Sequence, residues 1–141
     1  MELKTVGGGN VTHVWVHHLV ADRLRNIIKD IQIHYGDDLP IVAPALMIWG
    51  SNLRNSRVRR TDGTVGKKSI HSWGLAFDID GGNNGRVGGR DDTPWLHKGQ
   101  ARLSQPIYEP FWRIVEHHGG HSLGRNFDYD WMHFQFVNYN N

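Results

Sequence analysis

The sequence predicts an α+β fold, in which a small antiparallel sheet is flanked by helices. Two segments, 18–33 and 106–118, have apolar residues at the spacing of an amphipathic helix. Two others, 75–80 and 131–137, alternate apolar with polar or small residues, as half-buried strands do. Because the predicted helices are few and the several strands are not adjacent in sequence, an α+β fold with an antiparallel sheet is favoured.

The first helix has a clear end as well as an apolar face. Its inward positions are predicted to be Val20, Leu24, Ile27, Ile28 and Ile31. Gly36 follows the last of them and Pro40 lies just beyond, which is a typical helix-stop pattern.

The second helix is expected to tolerate Pro110 in its first turn and to stop at Gly119 and Gly120. Its inward residues are predicted to be Phe111, Ile114 and Val115.

The strands carry the chemistry of the chain. The apolar run 41–49 is predicted to be a buried strand. In 75–80, we expect Leu75, Phe77 and Ile79 to face the core, and Ala76, Asp78 and Asp80 to face the other way. In 131–137, we expect Met132, Phe134 and Phe136 on one face, and Trp131, His133 and Gln135 on the other.

Length, cysteine content and charge exclude several classes of protein. A chain of 141 residues suits one domain, 1–141, with a flexible start over 1–10. The absence of cysteine excludes disulfides and cysteine-based zinc sites. Net charge is only +2, although the pI is about 9.1. We find neither a signal peptide nor an apolar run long enough to span a membrane.

Three residues form a candidate zinc site: His71, Asp78 and His133. A turn closed by Gly74 would fold His71 back over the strand that carries Asp78. Two imidazoles and a carboxylate leave a fourth position open, as catalytic zinc sites do. Asp130 belongs to the turn before the last strand, where a carboxylate is positioned to act as a general base. Taken singly, each residue is more typical of a surface histidine or a strand-end aspartate.

These residues also resemble a known signature. Ser69-x-His71-x-x-Gly74-x-Ala76-x-Asp78, followed by Asp130-x-x-His133-Phe134, is similar to the two-part motif of peptidase family M15. That family comprises zinc D-alanyl-D-alanine carboxypeptidases, D,D-dipeptidases and phage L-alanyl-D-glutamate endopeptidases, with a fold similar to the hedgehog signalling domain. The resemblance covers residues 49–136.

The resemblance implies roles for particular residues. His71, Asp78 and His133 would bind Zn²⁺, and Asp130 would be the catalytic base, where much of the family has Glu. Ser51-Asn52-Leu53-Arg54 loosely matches a Ser-Gly-Tyr-Arg segment, so Arg54 would contact the substrate, with Arg57 as the alternative. Ser69 is a candidate for binding substrate or orienting His71. Trp131 either walls the cleft or simply packs.

The predicted function is hydrolysis of peptide bonds in bacterial peptidoglycan, in the manner of a phage endolysin. The alternatives are a D-alanyl-D-alanine carboxypeptidase or dipeptidase and a non-catalytic zinc domain of the same fold that binds a partner. We expect stem peptides as the partner, no nucleic acid and a monomer, made in the cytoplasm and acting at the cell wall. The basic run 54–68 is read as an exposed loop that is solvated or contacts substrate carboxylates.

Overall fold

The fold is α+β, as the sequence predicts. The computed structural model describes residues 3–4, 10–11, 16–46, 49–50 and 70–138. Of residues 3–4, 10–11, 49–50 and 71–72 it describes the backbone alone. The predicted basic loop 54–68 therefore lies outside the described residues.

Five helices and six strands are described. The helices are α1 His18–Tyr35, α2 Leu39–Leu46, α3 Gly81–Asn84, α4 Glu109–His117 and α5 Leu123–Phe127. The strands are β1 Leu3–Lys4, β2 Asn10–Val11, β3 Trp49–Gly50, β4 Ala76–Ile79, β5 His121–Ser122 and β6 His133–Gln135. Strands β3–β4–β6–β5 form one antiparallel sheet in that order, and β1 pairs with β2 separately. None of the described helices is long and apolar enough to cross a membrane.

Helix α1 has the predicted position and apolar face. It begins after His17, whose Nδ1 accepts a hydrogen bond from the Leu19 amide at 3.2 Å. It ends at Gly36, which has a positive φ of 48°. The side chains buried along it are Val20, Leu24, Ile27, Ile31 and Tyr35.

Segment 41–49 is not the predicted strand, because most of it belongs to helix α2. Val42, Ala45 and Leu46 are buried, whereas Ile41 is 61% exposed. This spacing of three and four residues is that of one helix face, and α2 lies against α1. A short apolar run suits either structure, so packing on α1 decided between them. After α2, the next described residues, Trp49 and Gly50, form strand β3.

Helix α4 is continuous with a 3₁₀ turn at Pro106–Tyr108, and Pro110 lies in its first turn as expected. The Tyr35 hydroxyl ties α1 to this region, since it donates to the Ile107 carbonyl at 2.7 Å and accepts from the Phe111 amide at 3.2 Å. Phe111 and Val115 are buried as predicted, and so is Trp112, which the sequence reading missed.

The sheet packs one face against these helices. Phe77 and Ile79 from β4 join Phe134 from β6 in the hydrophobic core, and Leu75 packs against it. The predicted inward set of β4 is thereby confirmed. After β4, the short helix α3 follows Asp80, which has a left-handed φ of 47°.

Gly74 is required at the turn before β4. Its φ is 65°, and a Cβ there would lie 2.5 Å from the backbone nitrogen of His17. We expect Gly74→Ala to lower the free energy of unfolding by about 2–5 kcal/mol, from a left-handed backbone and a steric clash together.

Gly88→Ala is the matched control for this change. Gly88 has a similar φ of 67°, but a Cβ there would meet nothing within 4 Å. It should lose only the backbone part, about 1–2 kcal/mol. Urea denaturation of both variants checks the prediction, and equal losses would contradict the proposed clash.

Candidate metal and catalytic site

Asp78 and His133 lie directly opposite each other on the neighbouring strands β4 and β6. Residues paired in this way point to the same face of an antiparallel sheet. The Nδ1 atom of His133 is 3.3 Å from Oδ1 of Asp78. The side chains are 8% and 19% exposed respectively. The structure therefore brings together two of the three predicted metal ligands.

Gln135 determines which nitrogen of His133 carries a proton. The Gln135 Nε2 atom donates to the Val137 carbonyl at 2.8 Å, and a carbonyl only accepts. The Oε1 atom must then face His133, whose Nε2 lies 2.8 Å from it and donates to it. In a neutral ring, Nδ1 consequently presents a lone pair toward the Asp78 carboxylate. Two facing acceptors need a proton or a metal cation between them.

The electrostatics of the site agree with this geometry. Burial of the His133 ring by itself lowers its pKa, but the hydrogen bond and negative charge of Asp78 outweigh burial. The hydrogen bond to Gln135 and the charge of Asp130 act in the same direction, so the pKa of His133 is raised overall. The surroundings of His133 thus favour a positive charge at the ring, and a metal ion that bound Nδ1 would have to displace the proton from it.

Asp130 lies in the turn before β6, as expected from the sequence. Its carbonyl accepts a hydrogen bond from the His133 amide at 3.0 Å, and its φ is 51°. Its carboxylate has a buried Oδ1 atom. The negative charge of Asp130 helps to raise the pKa of His133, although the cross-strand partner of His133 is Asp78.

The turn predicted to carry His71 is present. Residues Ile70–Trp73 form a 3₁₀ turn immediately before β4, and the Leu75 amide donates to the Ile70 carbonyl at 3.4 Å. The side chain of His71 is outside the described part of the chain, as are all atoms of Ser69, Arg54 and Arg57. Among the described side chains, no group of three His, Cys, Asp or Glu is close enough to hold a metal ion.

Trp131 belongs to the hydrophobic core and does not line the surface cleft beside His133. It is 5% exposed and packs edge-on against Trp112, with ring centroids 6.3 Å apart. Its Nε1 donates to Asp128 at 3.0 Å. The residue precedes β6 instead of lying within it, so strand alternation does not extend to its side chain. Of the two interpretations from sequence, packing is the one that fits.

A surface cleft of about 480 Å³ adjoins the His133 face of the sheet. Its lining residues are Leu123, Phe127, Tyr129, His133 and Gln135. The sequence reading missed Phe127 and Tyr129 as site residues. The available signal was two aromatic residues in a short polar stretch between Gly124 and Trp131.

Asp80 has a structural environment. Its carboxylate accepts a hydrogen bond from Asn83 at 2.8 Å and lies 3.3 Å from the guanidinium of Arg102. Its carbonyl accepts from the side chain of Asn84 at 2.7 Å. Asp80 thus stabilises the start of α3.

Comparison with known proteins adds no assignment. No protein-family model matches the chain, and searches of curated proteins and of solved structures likewise found no match.

Proposed function

We propose that this protein is a zinc-dependent peptidase that hydrolyses peptide bonds of bacterial peptidoglycan, as a phage endolysin does. The observation that carries the proposal is the cross-strand pair of Asp78 and His133, in which Nδ1 faces a carboxylate while Gln135 holds the opposite nitrogen. Catalytic zinc sites use this type of arrangement, since a hydrogen bond on the far nitrogen orients the ligating imidazole. The motif resemblance supplies the substrate class.

The donor set fits zinc. His133 and Asp78 would supply one nitrogen and one oxygen ligand, and His71, from the turn before β4, would supply the second nitrogen. Bound there, Zn²⁺ supplies Lewis acidity at a peptide carbonyl. The described pair alone accounts for two ligands, so the third rests on the sequence motif.

The remaining roles belong to the protein's own groups. The carboxylate of Asp130 would take a proton from the attacking water and return it to the leaving amine. The guanidinium of Arg54 or Arg57 would stabilise negative charge on the reacting carbonyl oxygen. The cleft beside His133 would hold the peptide on either side of the scissile bond.

The proposal extends to the fold subtype. A small antiparallel sheet with α1 and α4 behind it, and a polar face carrying Asp78 and His133, is compatible with the hedgehog and D,D-peptidase arrangement. A non-catalytic zinc domain of this type would have no need for Asp130, so the presence of this carboxylate favours the enzyme. A D-alanyl-D-alanine carboxypeptidase or dipeptidase remains the alternative within the family.

Digestion of purified peptidoglycan tests the function directly. We expect new amino and carboxyl termini in the stem peptides, identified by mass spectrometry, with intact glycan bonds. Release of single terminal alanines would instead indicate the carboxypeptidase. Cleavage that persists in a strong chelator, or cleavage of glycan bonds alone, would contradict a zinc peptidase.

Replacement of His133 tests the ligand assignment. His133→Ala should abolish stoichiometric zinc, measured by elemental analysis, because it removes one of three protein ligands. His34→Ala is the control, since His34 is an exposed residue of α1 and should leave zinc content unchanged. Full zinc occupancy in His133→Ala would overturn the assignment.

A further inference from the structure

Three aromatic side chains extend from the cleft along the surface, and we call them the aromatic strip: Phe127, Tyr129 and Trp95. The rings of Phe127 and Tyr129 are 6.4 Å apart, and those of Tyr129 and Trp95 are 5.6 Å apart. Phe127 and Tyr129 line the cleft together with His133. Phe127 is 57% exposed, and together with the neighbouring rings it forms a contiguous aromatic surface, which is the kind of surface that marks interaction sites. The strip thus connects the candidate site to the loop that carries Trp95.

Arg86 lies at the far end of this strip. Its guanidinium carbon is 4.0 Å above the centre of the Trp95 ring, and its NH1 donates to the Thr93 carbonyl at 2.8 Å. The backbones of Arg86 and Trp95 are paired, and the Val87 amide donates to the Pro94 carbonyl at 2.9 Å. The guanidinium is therefore held in position by stacking and by the loop.

No described carboxylate lies within ion-pair distance of Arg86. Two other arginines in this part of the chain do form ion pairs: Arg90 with Asp92 at 3.1 Å and Arg102 with Asp80 at 3.3 Å. Among the described residues, only the Thr93 carbonyl accepts a hydrogen bond from the Arg86 guanidinium. A guanidinium fixed in this way is suited to a planar anion, which it binds through two parallel hydrogen bonds. The adjacent aromatic ring lowers the hydration of the site and strengthens such a contact.

We propose that Arg86, stacked on Trp95, binds a free carboxylate of the peptidoglycan stem peptide while the aromatic strip carries the peptide toward the cleft. This subsite rests on the proposed function for its choice of substrate. Stem peptides are rich in free carboxylates, and the positive charge of Arg86 complements them. The aromatic rings offer flat apolar contact to the side chains and backbone between the carboxylate and the scissile bond.

Binding to insoluble sacculi tests the subsite without any need for turnover. Sacculi are stripped of phosphate-containing polymers, and one half is amidated so that the free carboxylates become neutral amides. Cosedimentation of the full chain is then measured in the presence of a chelator. We expect Arg86→Gln to bind native sacculi about 10- to 100-fold more weakly than the wild type, the usual worth of a hydrogen bond to a charged group. On amidated sacculi the two proteins should bind alike.

Arg90→Gln is the matched control. Arg90 is on the same loop and is exposed, but its guanidinium already pairs with Asp92. This variant should bind native sacculi as the wild type does. Trp95→Ala should weaken binding as Arg86→Gln does, because it removes the platform under the guanidinium.

Three outcomes would overturn the subsite: undiminished binding of Arg86→Gln, an equal loss on amidated sacculi, or a wild type without affinity for native sacculi. If the wild type binds sacculi that keep their phosphate polymers but not the stripped ones, the anion is a phosphate and the stem-peptide assignment is wrong. If the wild type binds through Arg86 but releases no peptide termini with zinc present, the subsite stands and the peptidase proposal fails. With activity present, Arg86→Gln should raise KM and leave kcat nearly unchanged.

Discussion

Asp78→Ala should lose zinc and peptidoglycan hydrolysis together. Asp78 faces Nδ1 of His133 at 3.3 Å across the β4–β6 pair, so its removal takes away the carboxylate that faces this nitrogen. Loss of a direct ligand should exceed the 10- to 100-fold effect of losing an outer partner, so we expect zinc affinity to fall by more than about 100-fold. Elemental analysis and hydrolysis of purified peptidoglycan check both effects.

Two further variants separate this effect from a general loss of stability. Asp78→Asn keeps the side-chain shape but removes the negative charge, and it should also lose zinc. Asp80→Ala removes a carboxylate only two residues away that pairs with Arg102 and Asn83. We expect Asp80→Ala to lower stability while retaining zinc. The reverse pattern, with zinc retained in Asp78→Asn and lost in Asp80→Ala, would show that the wrong carboxylate has been chosen.

Loss of the Asp130 carboxylate should abolish activity as well, but, unlike the loss of Asp78, it should leave zinc bound. On this proposal Asp130 moves protons and does not bind the metal, so hydrolysis should fall by roughly 10²–10⁴-fold, the usual worth of a positioned general base. Zinc content, measured on the same preparation, should stay near one ion per chain.

The backbone at Asp130 determines the best substitution for this test. Its φ of 51° is left-handed, a region that Asn adopts with little strain and Ala does not. Asp130→Asn therefore removes the base with the turn preserved, whereas Asp130→Ala adds a loss of about 1–2 kcal/mol in stability. Asp130→Glu should keep partial activity, since the extra methylene has to fit a site built for Asp. Near-normal hydrolysis in Asp130→Asn would exclude Asp130 as the general base, and with it the proposed mechanism.

Local sequence patterns predicted the elements in which apolar residues recur with a regular period. Helix α1 could be predicted because its apolar residues recur on one face and Gly36 ends it. Strand β4 could be predicted because Phe77 and Ile79 alternate with polar or small residues. Gly74 likewise predicted a turn between His71 and Asp78. In the structure its positive φ and the lack of room for a Cβ both require glycine.

Periodicity failed where a segment is apolar on more than one side. Segment 41–49 suits a strand or a helix equally, and only packing against α1 selected α2. Trp131 looked like part of the alternating strand, but a turn separates it from β6 and directs its ring into the core beside Trp112. In both cases the deciding contacts are with residues distant in sequence.

The sequence by itself determined the α+β class, the amphipathic helices and the identity of Asp78, Asp130 and His133 as chemically suitable residues. Only the tertiary structure decided that Asp78 and His133 are cross-strand partners, because register depends on pairing between segments 55 residues apart. The same holds for Gln135 behind His133 and for Arg86 on Trp95. Both arrangements depend on side-chain directions that strand pairing and loop closure impose, and no local spacing encodes those directions.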